Sequence, residues 1–565
     1  MRMQALRIAI VLPTPDRPAG WCTRLVEQIE AEPRFDLRTL IACPSGMELS
    51  SGNGLIRTWY AFERRVVGKL QGSDPLDGAD RPGKFPILAS DDHLAIVGMD
   101  LDVIVDLSGR AVGIFPSEAA RLGIWYPDFL RRPAGTTAMA AILARDPVIA
   151  ISLLRGAADK EETTIATGRL NTKFLATRNE DFMLEKAVPL IVNALKRAHQ
   201  SQASELPSLP RSAEPLQPGG SGLCTYLARL GGDGAAKVVE KVGEKLGARP
   251  GMFFLKSYAA AWSEFDPARA TPHVSARNSY FADPFLWERA GALYCFFEEF
   301  DYRTGRGHIS VGRFEDGQLT DIQVALRRDY HLSFPHLFEH EGELYMMPEC
   351  CEVRRLEVWK CRAFPHDWEL HATALEGVVA ADSTLNLIDG NWWLFTNISD
   401  DAFLDMNTQL HIFRADGPDL AKLEPHALNP VVVDAREARN AGRILDLDGR
   451  LYRPAQDNSH GTYGYGVRLM EIEDLSLDNY RESLAYAIEP DFEPGITGCH
   501  HFDVRAGRVV MDVRRRVGGF AGLARGRPAS RSATGAVPRV GTAEGKVSAA
   551  LGMRSARSQY LRGSE

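Results

Sequence analysis

One hairpin pattern occurs five times in the second half of this sequence, and it limits the folds open to the chain more than any other feature. Each copy is an apolar run, a tight turn closed by glycine, and a second run rich in apolar or aromatic residues. The copies are ADPFLWERAGALYCFFEE, SFPHLFEHEGELYMMPE, DSTLNLIDGNWWLFTN, AGRILDLDGRLYRPAQ and CHHFDVRAGRVVMDVRR. Their turn glycines are Gly291, Gly342, Gly390, Gly449 and Gly507, spaced 51, 48, 59 and 58 residues apart. Glycine supplies the positive φ that such turns require. A period of about 40–50 residues or somewhat more fits one four-stranded blade per repeat. Alternation at period two and the aromatic content exclude a helical solenoid. The repeats predict an all-β five-bladed propeller over residues 277–516.

The first 200 residues read differently. LRIAIVL (Leu6–Leu12) has the near-continuous apolar character of a strand buried on both faces. A helical pattern over 21–32 and a strand over 35–42 follow. Further strands are expected over 101–109 and 122–127 and in PVIAISLLRG, then an amphipathic helix over 181–199. Strands alternating with helices predict a parallel, Rossmann-like α/β domain. No GxGxxG or Walker sequence follows the first strand, so no nucleotide cofactor is expected. Residues 201–276 read as linker and connector, beginning with the Ser/Pro/Gly-rich SQASELPSLPRSAEPLQPGGSG and holding one helical stretch over 235–246. The basic tail over 517–565 lacks apolar periodicity and reads as disordered.

The net charge of −8 argues against a broad nucleic-acid-binding surface. No apolar run approaches the roughly 20 residues of a membrane span. The start reads as a buried strand rather than a signal peptide. The eight cysteines show no zinc-ribbon spacing. The expectation is a cytoplasmic protein with no metal and no cofactor.

Aligning the hairpins on their glycines also places side chains. Eight positions before the glycine stand Asp283, Phe334, Asp382, Ala441 and Cys499; seven after it stand Glu298, Glu349, Asn397, Gln456 and Arg514. In an antiparallel hairpin these positions share one end, so polar groups are expected at one mouth of the channel. Paired carboxylates are the apparatus of glycoside chemistry, and Asp283, Glu349 and Asp382 are the catalytic candidates. Each also has a bland reading, Asp283 and Asp382 as turn residues and Glu349 as a salt-bridge partner of Arg443 or Arg453, but the functional one is preferred. Glu298, His331, Ser333, Asn397, Arg443, Arg453, Gln456, Asp457, His500 and His501 are candidates for binding substrate. Arg436, Arg439 and Arg443 together could take a phosphate or carboxylate. Neighbours in a strand alternate, so one of His500 and His501 should face away. Tyr330, Trp392 and Tyr463 could stack on sugar rings.

These blades resemble the N-terminal propeller of plant glucosamine inositolphosphorylceramide transferases and bacterial relatives. The resemblance rests on ADPFLWERAGALYCFFEEFDYRTGRGHISV, HLSFPHLFEHEGELYMMPE, DSTLNLIDGNWWLFTN and RPAQDNSHGTYGYGV, and covers about residues 270–516. The plant enzymes carry a separate C-terminal glycosyltransferase domain that is not expected in this sequence. More distantly, the region is similar to five-bladed glycoside hydrolases of the arabinanase and invertase type. Asp283 matches their first-blade base or nucleophile, whereas Phe334 stands where the second-blade acid is expected. The N-terminal half is similar to formyltransferase folds, which bacterial relatives fuse to the propeller. In that likeness WYPDF occupies the segment of the Asn-x-His pair and contains neither residue.

Three functions follow as expectations. The first is glycosyl transfer or hydrolysis at the propeller funnel, in glycan biosynthesis or remodelling. The second is a non-catalytic propeller that binds a sugar, glycan or sugar nucleotide for a partner glycosyltransferase. The third is a sugar formyltransferase, with His93 as the spare imidazole.

Overall fold

A computed structural model describes residues 4–517 apart from 16–17, 44–53, 72–84, 111–113, 158–159, 202–207, 211–218, 246–248, 276–277 and residue 400. The expected tail lies outside the described residues, as does most of the linker. The N-terminal sheet is built from β1 (Leu6–Leu12), β2 (Phe35–Ala42), β3 (Ile87–Ala89), β4 (Val103–Asp106), β5 (Ile124–Pro127), β6 (Val148–Ala157) and β7 (Lys160–Asn171). Its strand order is β3-β2-β1-β4-β5-β6-β7. The first five strands run parallel, with the apolar β1 at their centre. The last two are antiparallel, so the expected all-parallel sheet is in fact mixed. Only two residues lie between β6 and β7 in the sequence, which leaves no length for the crossover a parallel pair needs.

Helices α1 (Gly20–Ala31), α2 (Gly54–Gln71), α3 (His93–Gly98), α4 (Thr136–Ala144), α5 (Ala176–Gln200) and α6 (Gly220–Lys245) complete this α/β domain. The core unites Ile8, Ile10, Val103 and Trp125 of the sheet with Leu25, Met139, Ile191 and Leu195 of the helices. Among the described residues, no helix is long and apolar enough to cross a membrane.

The C-terminal region is a five-bladed β-propeller. Two strands precede its first hairpin, β8 (Arg249–Ala259) and β9 (Thr271–His273). Blade one is β10 (Ser279–Arg289), β11 (Ala292–Asp301), β12 (Arg306–Glu315) and β13 (Gln318–Leu326). Blade two is β14 (Ser333–His340), β15 (Glu343–Glu349), β16 (Leu356–Ala363) and β17 (Asp367–Ala374). Blade three is β18 (Ala380–Ile388), β19 (Asn391–Ile398), β20 (Gln409–Ala415) and β21 (Leu423–Pro425), with β22 (Val432–Val433) also on β20. Blade four is β23 (Leu445–Leu447), β24 (Arg450–Asp457), β25 (Gly466–Leu475) and β26 (Tyr480–Ile488). Blade five holds β27 (Ile496–Gly498), β28 (Phe502–Arg505) and β29 (Arg508–Val517).

Blade five is closed from upstream. β29 pairs along its free side with β8, and β8 pairs with β9. The stretch read as connector therefore contains the two outer strands of the last blade. Without them β29 would present an unpaired edge. They escaped the repeat search because they form no glycine hairpin.

The five aligned glycines all sit at positive φ, from 66° to 77°, and the residue before each is also left-handed. Arg289 pairs with Ala292, His340 with Glu343, Ile388 with Asn391, Leu447 with Arg450 and Arg505 with Arg508. These are two-residue hairpins of the type whose twist matches the strands.

Candidate functional site

At the other end of the first hairpins the ladder is broken, at the same place in three blades. The register slips between Ala282 and Phe285, between Ser333 and His336, and between Ala381 and Thr384. Within these bulges Asp283, Phe334 and Asp382 adopt φ of 51°, 46° and 45°. A bulge bends its strand and re-aims a side chain, and a non-glycine residue held at positive φ costs on the order of 1–3 kcal/mol. Acid side chains hold the freed amides. Asp283 N–H donates to Asp512 Oδ2 at 3.1 Å, Phe334 N–H to Asp283 Oδ2 at 3.3 Å, and Asp382 N–H to Glu349 Oε2 at 2.9 Å.

The result is a cluster to which all five blades contribute. Asp283 and Glu298 come from blade one, Glu349 from blade two, Asp382 from blade three and Asp512 from blade five. Blade four supplies Arg439 and Gln456, which donate to Asp382 Oδ2 at 2.6 and 2.8 Å. Arg439 also lies 3.5 Å from Glu349, so one guanidinium serves two acids. It is held there because the backbone at Arg439 and Ala441 pairs with β24, accepting from Gln456 N–H and donating to Pro454 C=O. Burial pushes the Asp382 carboxyl up to about 7 against the pull of Arg439, with Glu349 adding to the rise. Burial likewise carries Asp283 to about 7, opposed by His500 and reinforced by Asp382 and Asp512. Glu298 rises well above its ordinary value, through burial and then the charges of Asp283 and Glu349. Among the described residues its Oε1 has no hydrogen-bond partner, and His331 Nε2 lies 3.5 Å away.

His500 and His501 do not alternate. Both turn toward Asp283, with ring nitrogens 3.6 and 3.7 Å from its Oδ1. They fall in the break between β27 and β28, where strand alternation does not apply. Asp512, buried in β29, accepts both of their backbone N–H groups and pairs with His500 Nδ1 at 2.6 Å. Asp512, with Asp283 and Asp382, outweighs the burial of His500 and pushes its imidazole up to about 8. Burial, against the pull of Asp512, takes His501 down to about 3. Asp283, His500 and Asp512 each bring one possible ligand atom within 4.8 Å of the others, an arrangement able to hold a cation that the sequence reading did not foresee. Asp512 was missed altogether. Its only signal was an acid inside the apolar run RVVMDV.

The remaining candidates separate into those at the cluster and those committed elsewhere. His331 accepts Gly307 N–H at 2.9 Å, and the Ser333 backbone pairs with Glu349. Asn397 gives its amide to the carbonyls of Gln409 and Ala438 and takes Asn440 N–H, a completed structural role. Arg453 is fully buried against Glu482, and Asp457 is shared by Arg436 and Arg468. Arg443 is not at the acid mouth. It pairs with Asp503 at 2.8 Å and lines a cavity of about 660 Å³ at the turn end of the blades, with Trp287, His336 and Trp392. Five residues, 440–444, separate Arg439 from β23, and over that distance the chain passes from one end of the channel toward the other. The three arginines therefore do not share a mouth. Tyr330 donates to Glu357, away from any sugar-stacking position at the cluster. Tyr463 is at the cluster, with the Arg439 guanidinium 5.1 Å from its ring centre and His500 edge-on at 5.3 Å.

Residues 253–494 match the family described as glucosamine inositolphosphorylceramide transferase 1, N-terminal. The protein of that name from Oryza sativa subsp. japonica is 36% identical over 231 residues, covering 40% of this chain and 31% of the relative. The one from Arabidopsis thaliana is 35% identical over 238 residues, again 40% and 31%. The chain thus spans about a third of the length of these curated relatives. Among solved structures, RS223-β-xylosidase superposes with a TM-score of 0.33 at 14% identity, over 43% of this chain and 94% of that one. The family 117 glycoside hydrolase Zg3597 of Zobellia galactanivorans gives 0.32 at 12%, over 47% and 91%.

Proposed function

We propose that this propeller, whose sequence matches the N-terminal region of glucosamine inositolphosphorylceramide transferase 1, takes a carbohydrate at its acid-lined mouth and acts on a glycosidic linkage there, by transfer or hydrolysis. One observation carries the reading: Asp283, Glu298, Glu349 and Asp382, from three blades, converge with two of their carboxyls shifted to about 7. Core packing gains nothing from gathering buried acids, since each costs solvation. Perturbed carboxyls in a shared mouth suit proton transfer near neutrality.

In this reading Asp283 is the base or nucleophile. Among the described residues no arginine or lysine is in ion-pair contact with it, whereas the imidazoles of His500 and His501 approach it. Glu349 is the acid, with Glu298 beside it as a carboxyl that burial raises well above its ordinary value. Asp382, fixed by Arg439 and Gln456, orients Glu349 and the substrate. The shared Arg439 favours a second reading, a mouth that binds a sugar or sugar nucleotide without cleaving it, because an acid tied to a guanidinium is less free to exchange protons.

The N-terminal domain we read as formyltransferase-like in ancestry and a scaffold in use. Asp128 of WYPDF accepts Ser152 N–H at 3.1 Å, which commits it to the sheet.

A thermal-shift screen of glucosamine, N-acetylglucosamine, glucose, galactose, UDP-glucose and UDP-N-acetylglucosamine tests the site on wild type and Asp283→Asn. A ligand at 100 times its Kd stabilises by about 2.7 kcal/mol. That gain is expected in wild type and lost in the variant. Release of free sugar or nucleotide by wild type alone would establish turnover. Equal responses in the two proteins would remove the site from this mouth.

A further inference from the structure

The loop that carries Tyr463 is held from outside the propeller. It joins β24 to β25, and three of its backbone groups bond to the N-terminal domain. Asn171, the last residue of β7, donates through Nδ2 to Thr462 C=O at 3.1 Å and accepts Gly461 N–H on Oδ1 at 2.7 Å. His460 N–H donates to Pro147 C=O at 2.9 Å. Both ends of one amide side chain are thus spent on two groups of a single turn.

On its inner side the loop lies directly on the acid cluster. Asn458 accepts Gly464 N–H at 2.8 Å, and Arg514 Nη1 donates to Tyr463 C=O at 2.9 Å. Gly464 has φ of 58°, and a Cβ there would fall 2.7 Å from the His500 Cβ, so only glycine allows this approach. Tyr463 then stands against Arg439 and His500, within electrostatic reach of Asp382, Asp283 and Glu349, while 40% of the residue remains exposed. An aromatic ring half-open beside carboxyls offers a pyranose an apolar face to stack on.

We infer that Asn171 is a positioning residue for the propeller site: it clamps the 458–465 loop so that Tyr463 roofs the acid cluster, and the N-terminal domain thereby completes a sugar subsite it does not itself line. This rests on the carbohydrate reading above.

The test uses the full chain with Asn171→Leu, Asn171→Asp and Tyr463→Ala. Leucine is close in size and cannot hydrogen-bond; aspartate keeps the acceptor for Gly461 and loses the donor to Thr462. Hydrogen exchange of the peptide spanning 458–465 is expected to quicken at least tenfold in Asn171→Leu and less in Asn171→Asp, with blade peptides unchanged. Carbethoxylation of His500 by diethyl pyrocarbonate, mapped by mass spectrometry, should quicken in parallel. The strongest saccharide response of the wild-type screen should weaken about tenfold in Asn171→Leu and in Tyr463→Ala.

Unchanged exchange in Asn171→Leu would overturn the clamp. Faster exchange with an intact saccharide response would overturn the subsite. If wild type answers to no saccharide, the functional reading fails, and the His500 reaction alone decides the roof: unchanged reactivity in Asn171→Leu refutes it.

Discussion

Arg439 is the residue on which the cluster's electrostatics turn. It is the cation that Asp382 and Glu349 share, and Glu349 also accepts the amide that the bulge at Asp382 frees. Removing one partner of a buried pair leaves an uncompensated charge and typically costs about 3–5 kcal/mol. Arg439→Met is therefore expected to lower stability in urea by about that amount at pH 7.5. The same change in an Asp382→Asn background should cost distinctly less, because one of the two stranded charges is gone. Equal losses in both backgrounds would mean that the guanidinium acts through packing on Tyr463 instead. The positive φ at Asp283 and Asp382 belongs to the same account: the neighbouring carboxylates satisfy the amides that the bulges free.

At the scale of elements, the closing strands β8 and β9 carry a buried titratable group. His273 on β9 lies buried against Ser257 on β8, 2.8 Å from its hydroxyl, with Phe314 of blade one against its ring. Burial, helped by the positive charge of Arg508, lowers its imidazole to about 4. The folded form thus holds fewer protons than the unfolded chain between about pH 4 and 6.5. Stability from this group is complete above 6.5 and is lost as pH falls toward 4, by about 3 kcal/mol at most. His273→Gln is expected to flatten the acid limb of the stability curve in that window and to leave the curve above pH 7 parallel to wild type. Chemical denaturation at pH 4.5, 6 and 7.5 measures this. These two strands were hidden in the sequence because they carry no turn glycine; the hairpins themselves were plain, since each needs φ > 0 at a fixed offset.

The two halves of the chain form one body over 1–519. Lys186 on α5, fully buried, reaches Asp401 and lies 3.5 Å from Asp405 in blade three. Phe182 stacks on Phe403 with ring centres 4.4 Å apart, and Asn193 donates to the carbonyls of Leu428 and Pro430. Arg169 pairs with Asp434 and Glu437. An interface holding a buried ion pair should couple the unfolding of the two domains. Wild type is expected to melt in a single calorimetric transition. Lys186→Met, which strands two buried acids, should split it or bring it down by the equivalent of about 3–5 kcal/mol. A single, unmoved transition in the variant would show that the pair contributes nothing to the coupling.

The sequence alone determined the blade count and the turn glycines, because each depends on a local rule: a period, a backbone angle, an alternation of faces. It also determined that acids stand at Asp283, Glu349 and Asp382, at one end of their hairpins. Tertiary structure decided the rest. Which arginine meets those acids, the turning of both His500 and His501 toward Asp283, and which upstream strands close the ring depend on contacts between residues tens to hundreds of positions apart. Strand alternation wrongly turned one of His500 and His501 away, and hairpin alignment misplaced Arg443, since these residues lie where the ladder is interrupted and local periodicity no longer governs direction. Likewise nothing near Asn171 in sequence marks it as the support of a loop 290 residues further on; only the packing of β7 against the β24–β25 loop brings them together.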